Sequence, residues 1–103
     1  MRIIHPRDFI GDRAWAALPV AEFDGVGVRL HWTDQPYIWH RNDGQEVFVV
    51  LDGEVDMKTR QDGVETVHRL RPGDIFHATE GDEHVAVPRG AARVLVIERT
   101  GSV

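Results

Sequence analysis

His40 and Glu46 stand at the two ends of one short stretch, Trp39-His40-Arg41-Asn42-Asp43-Gly44-Gln45-Glu46. Imidazole and carboxylate are the side chains that hold a divalent metal ion or move a proton near neutral pH. The chain then runs on as Val47-Phe48-Val49-Val50-Leu51-Asp52-Gly53. A run rich in β-branched residues and bounded by Asp-Gly pairs reads as a strand of an all-β domain. A second unit, from Pro72-Gly73-Asp74 to Glu83-His84, also ends on a histidine. The two units are expected to face one another across a small β-barrel, with the rest of the chain as scaffold, cap or interface.

The elements that must position these residues can be read from period and punctuation. Val26, Val28, Leu30 and Trp32 alternate with Gly27, Arg29 and His31, the mark of a strand buried on one face. Residues 46–51 and 93–98 are apolar on both faces, so both faces need cover. Residues 54–60 and 64–70 read as a hairpin around Gln61-Asp62-Gly63. Shorter strands are expected at 75–79 and 84–87, separated by Glu80-Gly81-Asp82-Glu83. Turn signals about every ten residues are those of a sandwich or barrel. Residues 1–25 show no firm period and are expected to form a lead-in segment, with a short helical turn over 12–18 and Asp12 as its cap. The barrel is assigned to 26–103.

Composition removes several function classes. At 103 residues the chain is one domain, and 42% hydrophobic with 28% charged residues is a globular balance. The net charge of −5, with one lysine and scattered arginines, argues against a nucleic-acid surface. There is no cysteine, hence no disulfide, thiolate metal site or cysteine nucleophile. The start lacks a signal-peptide pattern and no stretch is apolar enough to span a membrane. A cytoplasmic protein without membrane association is expected.

The two units also carry a resemblance. The first resembles the opening motif of small single-domain cupins, including members labelled mannose-6-phosphate isomerase-like. His40 matches its first histidine, Glu46 its glutamate and Gly53 its glycine; Asn42 stands where the second histidine is usual. Gly73-Asp74, Gly81 and His84 match the second motif, with Thr79 where a proline is usual. The resemblance covers roughly residues 26–103 and implies an all-β double-stranded β-helix, or jelly-roll, barrel. It also implies a lumen in which His40, Glu46 and His84 hold a divalent metal such as Fe, Mn, Ni or Zn. Asn42, a neutral oxygen donor, suits such metals less well than imidazole and is expected to hydrogen-bond within the pocket.

Phe48 is in phase with Glu46 and is assigned to the lumen; His77 lies between the second-motif turns with its side undetermined. His5, His31 and His68 are expected in solvent. Two functions follow from the resemblance: a metal-dependent enzyme acting on a small molecule, as an oxygenase or isomerase, or a metal-free module binding a small polar or sugar-like ligand. Acid–base catalysis by the three site residues without metal is a third. The double-faced apolar strands point to a homodimer, with cover of that face by the N-terminal segment as the rival.

Overall fold

Asp-Gly pairs set the reversals of the chain. The structure is a computed structural model describing residues 1–102. Asp24-Gly25 and Asp62-Gly63 both adopt positive φ at each position, and the two-residue turns they make match the twist of a tight antiparallel hairpin. They join β1 (Ala16–Phe23) to β2 (Val26–Thr33), and β5 (Val55–Gln61) to β6 (Val64–Leu70). The remaining strands are β3 (His40–Arg41), β4 (Glu46–Asp52), β7 (Ile75–Ala78), β8 (Glu83–Pro88) and β9 (Ala92–Arg99). They form two sheets, ordered β1-β2-β9-β4-β7 and β3-β8-β5-β6, with every pairing antiparallel. This is the jelly-roll architecture of a cupin barrel.

The inward faces meet in one core. Phe48 and Val50 of β4, Ala92, Val94 and Val96 of β9, Val55 and Met57 of β5, and Ala86 of β8 pack together. Each large member contributes about 1.5–3 kcal/mol through burial. The strands apolar on both faces are now resolved by phase: Phe48, Val50, Val94 and Val96 point inward. Val47, Val49, Leu51, Leu95 and Ile97 point outward and are only partly covered.

The helical turn expected over residues 12–18 does not form. A 3-10 turn sits earlier, at Pro6–Asp8, where proline presets φ, and residues 16–23 become β1. The alternation Ala16, Leu18, Val20 carries the strand, and a bulge between Pro19 and Ala21 absorbs the missing proline N–H. The segment before β1 is tied down at two points: Arg93 donates to the Phe9 carbonyl at 2.8 Å, and the Arg2 side chain donates to the Pro19 and Val20 carbonyls of β1.

Gly53 ends β4 with φ of 76°, and a Cβ there would collide with the Ala91 carbonyl oxygen. Gly63 has the same φ of 77° with open space around it. Gly53→Ala is therefore expected to cost more than about 2 kcal/mol, and Gly63→Ala about 1 kcal/mol. Urea unfolding of the two variants checks the difference.

Candidate metal centre

The site is built where β3 and β8 of one sheet face β4 of the other. After β2, the Thr33 hydroxyl donates to the Gln35 carbonyl and accepts from its N–H, turning the chain. Tyr37 N–H then donates to the Ala86 carbonyl at 3.0 Å, laying the chain along β8. Asn42 and the loop before β8 clamp each other, Asn42 N–H to the Asp82 carbonyl and Gly81 N–H to the Asn42 carbonyl. Asp82 Oδ2 in turn accepts the Thr79 N–H and hydroxyl. The turn residues of the second motif thus serve the backbone.

His40 and His84 are direct partners in the β3–β8 register, and so belong to the same sheet. Glu46 reaches them from β4 in the other sheet. The expectation that the two sequence units face each other is thereby refined: the first unit straddles both sheets, and its glutamate faces the paired histidines. One ligand atom from each of His40, Glu46 and His84 falls within 4.8 Å of the others.

Asn42, 3% exposed, joins them by hydrogen bonds. His84 Nε2–H donates to Asn42 Oδ1 at 2.5 Å and lies 3.2 Å from Glu46 Oε1, which Asn42 Nδ2 approaches at 3.5 Å. His40 Nδ1–H donates to the Ile38 carbonyl at 3.1 Å, which leaves Nε2 as its lone-pair nitrogen. Burial pushes the Glu46 carboxyl up, but the hydrogen bond and charge of His84, the Asn42 amide and His40 more than offset this and hold it below its ordinary range. An ionised carboxylate beside two imidazoles is a donor set that suits a divalent first-row metal. His84 Nδ1 is buried without a hydrogen-bond partner among the described residues, while Nε2, the nitrogen that faces Glu46, is engaged by Asn42 Oδ1 and would have to give up its proton there to bind a metal.

The three residues open on a cavity of about 200 Å³ lined also by Phe48, Trp15, Arg29, His31, Tyr37 and Glu98. Phe48 takes the lumen position its phase with Glu46 implies. His77 does not reach it: it is exposed on the other side of β7 and pairs with Gln45 at 2.9 Å. His31, expected in solvent, is a correction. It lines the cavity, donates from Nδ1 to the Trp15 carbonyl at 3.1 Å, and is pushed toward the neutral form mainly by burial. The alternation of β2 marked its Val26, Val28, Leu30 and Trp32 face as the buried one; the structure instead turns the polar face, with Arg29 and His31, to the lumen. Trp15, Arg29 and Glu98 had no motif to reveal them. Glu98 pairs with Glu46 in the β4–β9 register, and burial followed by the Glu46 charge pushes its carboxyl up, partly countered by Arg29.

Residues 30–98 match the cupin domain family, and the chain belongs to it. Among solved structures, it is similar to a cupin-2 domain protein of Shewanella frigidimarina, 22% identical over 86% of this chain and 84% of that one, with a TM-score of 0.76. The TT1209 protein of Thermus thermophilus is also 22% identical, over 96% and 97%, with a TM-score of 0.76. A Ralstonia eutropha protein carrying a provisional mannose-6-phosphate isomerase name is 16% identical over 96% and 98%, with a TM-score of 0.74. Identities this low establish the fold alone. No curated protein matches the sequence.

The depressed Glu46 carboxyl links stability to pH. A carboxyl whose folded pKa lies below its unfolded value contributes stability that is complete above the unfolded value. That contribution is lost as pH falls through the folded one. Urea unfolding at pH 7 and near pH 3 is expected to show a loss for the parent protein that is smaller in Glu46→Gln.

Proposed function

We propose that this cupin is a metal-dependent enzyme acting on a small molecule, with His40, Glu46 and His84 holding a divalent ion (Fe, Mn, Ni or Zn) in the lumen. The observation that carries this reading is the convergence of three ligand atoms, from three strands and both sheets, on one point of the cavity wall. When bound, the ion supplies Lewis acidity or, for a redox-active metal, electron transfer, which fits an oxygenase or an isomerase. The protein's own part is to keep Glu46 ionised, to present His40 Nε2, and to line the cavity with apolar surface from Phe48 and Ala86. Asn42 orients His84 and Glu46 by hydrogen bonds to Nε2 and Oε1, the two atoms that face each other at the candidate site.

Metal titration of chelator-treated protein, followed by elemental analysis, tests the reading. One equivalent of ion is expected for the parent protein, and none for His40→Ala, Glu46→Gln or His84→Ala. Asn42→His is expected to tighten loading about tenfold or more by adding a second imidazole beside His84. Folded parent protein that takes up none of Fe, Mn, Ni or Zn leaves the lumen a metal-free binding module.

We also propose that the protein is a homodimer through the outer face of the five-stranded sheet. Val47, Val49, Leu95 and Ile97 are partly exposed there and Ile75 is 66% exposed, a row of apolar side chains that monomers rarely leave in water. A two-fold pairing covers the same face of both copies at once. Sedimentation at micromolar concentration is expected to give dimeric mass, and Val49→Asp a folded monomer. A parent protein of monomeric mass would sink this proposal.

A further inference from the structure

The lumen wall beyond the three candidate ligands is polar where a sealed core would be apolar, and it carries a permanent cation. β2 turns Gly27, Arg29, His31 and Thr33 toward the interior, in register with Glu98, Val96, Val94 and Ala92 of β9. Arg29, His31 and Glu98 line the same cavity as the candidate ligands. The Arg29 guanidinium donates to Glu98 Oε1 at 3.1 Å, and its side chain is 39% exposed. A guanidinium carries five N–H donors in a planar fork, and this one bond leaves most of them free to meet a ligand.

Charge then selects the ligand. Glu46 and Glu98 are the carboxylates lining the cavity among the described residues, and Arg29 is its arginine. With a divalent ion at His40, Glu46 and His84, the lumen keeps one excess positive charge even if both carboxylates are ionised. A confined, partly apolar space with that excess attracts an anion. Its volume of about 200 Å³ is somewhat larger than a cavity that admits benzene, which sets the ligand at about six to eight non-hydrogen atoms. A single excess charge matches a monocarboxylate better than a phosphate dianion.

We propose that the ligand of this lumen is a small monocarboxylate received by Arg29, which selects acids over their neutral analogues. The proposal rests on the reading of the lumen as a metal-holding ligand pocket, and its test keeps the two apart. Lactate, lactamide and inorganic phosphate serve as probes, titrated by calorimetry into nickel-loaded and chelator-treated protein. Lactate is expected to bind at least about tenfold more tightly than lactamide or phosphate. Arg29→Gln is expected to weaken lactate about 10- to 100-fold, with nickel uptake and lactamide unchanged, and Arg29→Lys to weaken it less.

Arg29→Gln leaves Glu98 without its cation, so Arg29→Gln with Glu98→Gln is the companion variant that keeps the wall neutral. It is expected to show the same loss. Equal affinity for lactate and lactamide overturns the proposal, as does phosphate binding more tightly than lactate. So does lactate binding that His40→Ala abolishes and Arg29→Gln leaves intact, since the metal alone would then hold the acid. No lactate binding at about 10 mM overturns it too. A parent protein that takes up no nickel but binds lactate through Arg29 overturns the metal reading and supports this one.

Discussion

The site depends on one amide. Asn42 accepts from His84 with its oxygen and reaches toward Glu46 with its nitrogen, so a single side chain ties a residue of the four-stranded sheet to one of the five-stranded sheet. All three are buried, and buried polar groups are tolerable only when they satisfy one another. The constraint reaches outward. For Asn42 to lie between the histidine and the glutamate, the chain after β3 must be pinned to the loop before β8. The paired backbone bonds with Gly81 and Asp82 provide that pin. Asp82 and Gly81 thereby hold the shape of the candidate site without lining its cavity.

Around that amide the lumen is zoned. Its closed part is filled by Val50, Val55, Met57, Val94 and Ala92, all of them fully buried. Its open part gathers His40, Glu46, His84, His31, Arg29 and Glu98 on walls that also carry Phe48, Val96 and Ala86. The zoning follows from the register of β4 with β9. Phe48 stands beside Val96, and one step of the pleat further, Glu46 stands beside Glu98. Two carboxylates so placed oppose each other's ionisation, and the residues around them divide the outcome: His84 and Asn42 favour the charged form of Glu46, while burial favours the neutral form of Glu98.

The strands were legible in the sequence because their signals are local. Alternation over residues 26–32, the Asp-Gly turns and the spacing of the turn residues each depend on neighbours a few positions away. The same is true of the first motif, where His40, Glu46 and Gly53 stand within one short stretch, and the second motif placed His84. The helical turn expected near residue 12 failed for the opposite reason. Residues 16–23 carry only the short alternation of Ala16, Leu18 and Val20, interrupted by Pro19, and become a strand because β2 offers them an edge.

The sequence by itself determined the all-β barrel, most of its strands from residue 26 onward, and three residues with the chemistry to hold a metal. Only the tertiary structure decided that His40 and His84 share a sheet while Glu46 comes from the other, because register is a long-range property. It alone drew Trp15, Arg29, His31 and Glu98 to the same cavity, and sent His77 to the outer face. Local alternation groups a strand's residues by face, but which face turns to the lumen, and what it meets there, depends on strands far away in sequence. Glu46 meets Glu98 only because β9 returns to lie beside β4, and no spacing within either strand encodes that meeting.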